Sequence, residues 1–182
     1  MAILTGMLSV AEFARLPQPE GGVRQELHHG ELLELPPVKI LHLMLQMRLV
    51  SLVRTLCDLS VYGVTTEFPF RPVPGFDVRV ADVALFRLAY ASRTLHNDYF
   101  SGVPEIVIEV LSPSNTASEM LDRETICLRN GGKEFWLVDP NRKTVKVVRA
   151  DGYSQVYGVE GAIESGVLDG RIAVSDIFDS VA

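Results

Sequence analysis

Positive charge is what this chain of 182 residues is short of: 17 lysines and arginines stand against 23 aspartates and glutamates, for a net charge of −6. Such a balance gives no overall attraction to nucleic acid or to an anionic membrane, so any nucleic-acid contact has to come from a local patch. Cysteine is scarce as well. Cys57 and Cys127 lie in predicted helices with no CxxC spacing, the pattern of buried reduced thiols in a cytoplasmic protein. Long apolar runs are missing: the Leu-rich stretch 40–56 is broken by His42, Gln46, Arg48 and Arg54, which excludes a membrane span. Residues 1–10 have neither a basic start nor a small-residue cleavage site, so no secretory signal is read there. Internal repeats and low-complexity tracts are absent. So are the phosphate-cradling GxxxxGK[ST] loop, the GxGxxG fingerprint and the GxSxG elbow.

What is present is ordinary globular material. Hydrophobic residues make up 47% and charged residues 22%, and the length suits one domain over 1–182 with a sizeable core. The most informative stretch is PEIVIEVLSPSN, residues 104–115. Ile106, Val107, Ile108, Val110 and Leu111 read as a strand buried on both faces, with Glu109 in its middle. A charged, unpaired carboxylate there costs several kcal/mol of desolvation, so it needs a cation, a metal or a shared proton.

The other elements are placed by caps, turns and periodicity. Ser9 with Glu12 forms a capping box for a short helix ended by Pro17. His29-Gly30 suits a two-residue hairpin turn pairing His28 with Glu31 and Glu26 with Leu33. Residues 39–58 predict a helix whose wide apolar arc includes Leu41, Leu43, Leu45, Leu49 and Val53, with His42 and Gln46 near its centre. Strands follow at 62–71 and 78–88, the second interrupted by Asp82, and 91–102 reads as loop or short helix. Thr116 and Glu119 cap a helix that stops at Gly131-Gly132. Strands at 134–138, 144–149 and 153–157, a Gly-rich loop at 159–170 and a final helical turn at 175–178 complete the chain. This order predicts an α/β or α+β domain, a mixed sheet with helices packed on it.

Two carboxylates, Asp82 and Glu109, thus interrupt apolar strands. On neighbouring strands they converge, and two hard oxygen ligands with a backbone carbonyl and waters suit Mg²⁺ or Mn²⁺. The competing reading is local: Asp82 ends a strand, and Glu109 pairs with Arg123 or Lys133. Glu119 and Arg123, one turn apart, are either a surface pair or place a guanidinium on a phosphate. His28 and His29 point to opposite faces if they stay on a strand, which favours a turn role over metal ligation. Arg123, Arg129, Lys133, Arg142, Lys143 and Lys146 cluster in sequence as a weak nucleic-acid footprint or a solvated face.

The segments VAEFARLP, QELHHGELLELPP, ADVALF, PEIVIEVLSPSN, GGKEFWLVDP and LDGRIAVSDIF occur in this order over nearly the whole chain. In this the sequence resembles the Uma family of restriction-endonuclease-like proteins in the PD-(D/E)XK superfamily. The resemblance implies a mixed four-stranded core sheet flanked by helices, with an N-terminal β-hairpin and a C-terminal β-meander. It implies Asp82 and Glu109 as ligands of Mg²⁺ (or Mn²⁺), with the carbonyl near Val110 or Leu111 completing the set, and Glu26 and His42 nearby. Arg123 stands where the family has a lysine, and Ala81 precedes Asp82 in place of proline. The lysine would position or activate the attacking water; an arginine keeps the charge but cannot take a proton.

The function expected is therefore a metal-dependent endonuclease hydrolysing phosphodiesters in DNA, with Asp82, Glu109, Arg123, Glu26 and His42 as its site. The alternatives are a catalytically silent domain that binds nucleic acid or forms a homodimer through the first long helix, and hydrolysis of a small nucleotide.

Overall fold

The computed structural model describes residues 6–17, 19–21, 23–91 and 99–179. Residues 92–98 of the stretch read as loop or short helix fall outside them. Helix α1 (Val10–Phe13) is capped by Ser9 and Glu12 in a reciprocal box. Strands β1 (Arg24–His28) and β2 (Glu31–Leu35) form a hairpin with His28 opposite Glu31 and Glu26 opposite Leu33. His29 and Gly30 both have positive φ, 51° and 85°, the geometry that matches a two-residue turn to the twist of its strands.

Helix α2 (Ile40–Arg54) is followed by β3 (Tyr62–Arg71), β4 (Arg79–Arg87), α3 (Leu88–Ala91), β5 (Phe100–Ser101) and β6 (Ile106–Val110). Helix α4 (Ala117–Arg129) then crosses to β7 (Glu134–Asp139), β8 (Thr144–Arg149) and β9 (Ser154–Tyr157). The chain closes with β10 (Ala162–Glu164), β11 (Arg171–Ala173) and α5 (Val174–Phe178). A mixed seven-stranded sheet in the order β5-β3-β4-β6-β7-β8-β9 is the centre. β6 and β7 run parallel, joined by α4, while β4–β6 and β7–β8 are antiparallel.

Each face of the sheet has its own core. On one, Leu45, Leu49 and Val53 of α2 pack with Val83, Leu85, Ile106, Ile108, Trp136 and α5. On the other, Ile126 and Cys127 of α4 pack with Ala84, Val107 and Phe135. Each fully buried aliphatic side chain contributes roughly 2 kcal/mol, so three of them pin α2 and fix where His42 and Gln46 point.

The mixed sheet flanked by helices is as expected, its core extended to seven strands by β5, β8 and β9 at the edges. Three expectations are corrected. The buried stripe of α2 is narrow, Leu45, Gln46, Leu49 and Val53. Leu41 and Leu43 are exposed, because the helix meets the sheet along one line of contact instead of a wide arc. Cys57 lies past the end of α2 and not within it. The loop at 159–170 contains β10, which pairs with β11 and buries Ile163 against Ile172.

Candidate active site

The register of three strands assembles the site. Thr66 pairs with Val83, and Val83 with Ile108. One residue further along, β3, β4 and β6 present Glu67, Asp82 and Glu109. The β4–β6 ladder stops at Val83–Ile108, and the Asp82 carboxylate enters the opening. Its Oδ2 accepts the Val110 N–H at 2.8 Å, standing in for a ladder carbonyl. On its other side Oδ1 accepts from Gln46 Nε2 at 3.0 Å and lies 2.9 Å from His42 Nε2. That histidine contact is close but too bent for a hydrogen bond, and His42 Nε2 is buried without a hydrogen-bond partner.

Glu109 faces α4. The Arg123 guanidinium donates through Nη1 to Glu109 Oε1 at 3.0 Å and to the Val80 carbonyl at 3.1 Å, and through Nη2 to Glu26 Oε2 at 2.5 Å. Arg123 is therefore not a surface partner of Glu119, which is occupied in capping α4 through Thr116. Burial also removes Arg123 from the basic cluster suggested by the sequence. Within that cluster Lys146 is paired with Glu124 and Arg142 with Asp139.

Glu26 comes from the hairpin, which bridges to the start of β4 through Leu27 and Val78. Its Oε1 accepts the Val80 N–H at 3.0 Å, and its Oε2 also meets His28 Nε2 at 2.5 Å. The other ring nitrogen, Nδ1, faces Arg79 Nη1 at 2.5 Å. Arginine can only donate, so Nδ1 is the acceptor and the proton sits on Nε2, toward Glu26. Burial, with Arg79 beside it, lowers the His28 pKa and favours this neutral form. His28 thus belongs to the site and not merely to the turn, a role the sequence reading gave less weight than the turn. Arg79 itself is fully enclosed and held by Asp77 and Asp122, each at 3.1 Å.

One guanidinium serves two carboxylates, and their proton affinities separate as a result. Burial alone would raise Glu26, but the Arg123 charge, then His28 and the Val80 N–H, outweigh it and hold Glu26 at about 2. For Glu109 burial wins: with the negative charges of Asp82 and Glu26 it outweighs Arg123 and pushes Glu109 well above the usual carboxylate range. The site therefore carries more acid than its own cations neutralise.

Sequence reasoning missed Glu67. It is the one site residue with a positive φ outside glycine, 50°, in the middle of β3. Its Oε1 accepts from Gln46 Nε2 at 2.5 Å, and its Oε2 pairs with Arg24. The only signal was a glutamate opposite Asp82 once β3 and β4 are paired.

A model of the Uma2 family, described as "Putative restriction endonuclease", matches residues 10–168. The chain belongs to the Uma2 family. Among solved structures it resembles one described as a "putative nuclease belonging to DUF820" from Anabaena variabilis ATCC 29413. The TM-score is 0.81 at 20% identity, over 96% of this chain and 99% of the other. At that identity the likeness establishes the shared fold, a mixed sheet flanked by helices. Among curated proteins none matches significantly.

For a Uma2 protein the remaining question of chemistry is whether a cation fits. Among the described residues no group of three or more His, Cys, Asp or Glu is disposed to hold a metal, so a closed protein cage is not built here. Two carboxylates at the opening fit instead a hard divalent ion of the kind bound through one or two carboxylates and completed by water and phosphate. Glu109 Oε2 accepts no hydrogen bond from the described residues, Oε1 being the atom Arg123 takes. The surplus of acid at Glu109 and Asp82 is what such an ion would offset. Leu111 follows Val110 at the end of β6, where its N–H is bonded to the Val138 carbonyl. No described helix is long and apolar enough to cross a membrane.

Proposed function

We propose that this Uma2 protein is a metal-dependent endonuclease that hydrolyses phosphodiester bonds in DNA, acting as a single domain in the cytoplasm. The observation that carries the reading is the shared rung of Asp82 and Glu109, two buried carboxylates at the point where β4 and β6 part. These two would hold Mg²⁺ or Mn²⁺, with the Leu111 carbonyl as a third donor. When bound, such an ion lowers the pKa of a coordinated water and neutralises charge building on a phosphate.

The protein's own groups divide the remaining work. Asp82 is fixed by the Val110 N–H and Gln46, so its carboxylate cannot rotate away from the opening. His42 sits against the same carboxylate and limits the space around it. Arg123 supplies permanent positive charge beside Glu109 and orients a phosphate oxygen; it stays protonated and takes no proton from water. Glu26 holds Arg123 from behind, and His28 in its neutral form donates to Glu26. Family membership supports the nuclease activity, and enzymes of this class generally use divalent ions.

The test is cleavage of plasmid DNA with Mg²⁺ or Mn²⁺, beside an Asp82→Ala control. Cleavage lost in the control is the expected result; equal, background-level cleavage in both refutes the enzyme. A second reading, a silent domain that binds nucleic acid or pairs with its own copy, is favoured by Arg123 being engaged by both Glu26 and Glu109. The exposed Ile40, Met44 and Met47 on α2 add to it. Calorimetric titration with MnCl₂ separates the two, and light scattering reads the homodimer.

A further inference from the structure

We infer that Glu67 is a positioning residue whose task is to hold the Arg24 guanidinium off Asp82, keeping Asp82 open to a cation. The inference rests on the metal-binding reading above.

Arg24 lies on β1 and reaches the rung from the hairpin side. Its Nη1 is in direct contact with Glu67 Oε2 and stands 3.9 Å from Asp82 Oδ1. Those two are the carboxylates within ion-pair reach of Arg24 among the described residues. Its Nε is buried with no hydrogen-bond partner, so the contact with Glu67 is what retains the head group. With that contact gone, the carboxylate left within its reach is Asp82. A guanidinium seated on Asp82 would fill the place, and neutralise the charge, that a divalent ion requires. Glu67 also takes one hydrogen of the Gln46 amide, whose nitrogen donates to Asp82 as well. A single carboxylate thereby sets two of the neighbours of Asp82.

The backbone shows that this placement is maintained at a cost. Glu67 sits at φ 50°, a region costly for residues other than glycine and typical of functional sites. Pairing is regular on both sides, at Thr66–Val83 and Phe68–Ala81. The distortion is confined to the residue that carries the carboxylate.

The test uses Glu67→Asn, because asparagine tolerates the left-handed conformation while losing both the charge and the reach. MnCl₂ is titrated calorimetrically into the metal-free full chain, with thermal unfolding as a check on folding. Mn²⁺ affinity is expected to fall by about tenfold or more, about 1.4 kcal/mol. Adding Arg24→Ala to this variant is expected to restore affinity to within about threefold of the wild type, since the displaced guanidinium is the cause of the loss. Arg24→Ala alone should bind Mn²⁺ at least as tightly as the wild type, and this arm stands even if Glu67→Asn fails to fold. An unchanged affinity in Glu67→Asn, no rescue by the second substitution, or weakened binding in Arg24→Ala each overturns the inference. A wild type that binds no Mn²⁺ overturns instead the metal reading on which it rests.

Discussion

Replacing Arg123 with methionine removes a charge while keeping much of the side chain's volume, so it isolates what the guanidinium does. Two buried carboxylates, Glu26 and Glu109, lose their shared partner. Breaking a buried ion pair from one side costs about 3–5 kcal/mol. The proton affinity of Glu26 is of the same order: it lies at about 2 against an ordinary 4.5, the net of burial against Arg123, His28 and the Val80 N–H, and at 1.36 kcal/mol per pH unit that is on the order of 3 kcal/mol for all of these together. For a domain of this size each kcal/mol moves the melting temperature by roughly 2–4 °C, so Arg123→Met should melt about 10 °C lower at pH 7.

The pH dependence has a definite sign. A carboxylate whose folded pKa is depressed contributes its stability above the unfolded value, and loses it as pH falls through the folded one. The Glu26 contribution is thus complete above about pH 4.5 and gone near pH 2. Without Arg123, burial holds the Glu26 pKa of the variant higher, so the gap between wild type and variant should narrow as pH falls toward 2. Urea titrations followed by the fluorescence of Trp136, the single tryptophan and fully buried, read both quantities. A loss below about 1 kcal/mol at pH 7, or a gap that does not narrow toward pH 3, would refute the account of Arg123 as a shared counter-ion.

Three further outcomes are expected. Because burial and the neighbouring acids raise the Glu109 pKa, Mn²⁺ must displace a proton; calorimetry should show affinity still rising with pH above the usual carboxylate range, and a flat profile would exclude Glu109 as a ligand. Burial pushes the Cys127 thiol up to about 12, so a thiol reagent at neutral pH should leave it unmodified in the folded protein and modify it after unfolding. In Gly63→Ala the added methyl meets the Phe86 ring, which stacks on Phe68 at 4.4 Å. The variant should lose about 1–3 kcal/mol in urea unfolding.

Much of this protein is legible before any coordinates. The hairpin register at Glu26–Leu33 follows from His29-Gly30 alone, and the cap of α4 from Thr116 and Glu119, because both are local rules of few residues. The apolar run around Glu109 likewise announces a buried strand, and an acid inside it announces a partner. What local rules do not carry is convergence. Arg123 fits a surface as well as a core by sequence, since only the crossing of α4 over β6 decides between them. His28 reads as a turn residue because its partner Arg79 is 51 positions away. Glu67 carries no local signal, as nothing in YGVTTEFPFR hints that one residue adopts a left-handed backbone. The buried stripe of α2 is narrower than its apolar arc for the same reason: composition gives the apolar positions, but the sheet decides which of them it covers.

The rung shared by β3, β4 and β6 has a bearing on how the sheet finds its pairing. Side chains alternate along a strand, so sliding β6 by one position would trade Glu109 for Ile108 or Val110 and turn its acid toward Trp136 and Leu49. Among the described residues the core on that side is apolar, and Arg149 there is taken by Glu134. Misaligned sheets are thus penalised by the same three acids that make the correct one chemically interesting, and proofreading of strand alignment comes built into the machinery.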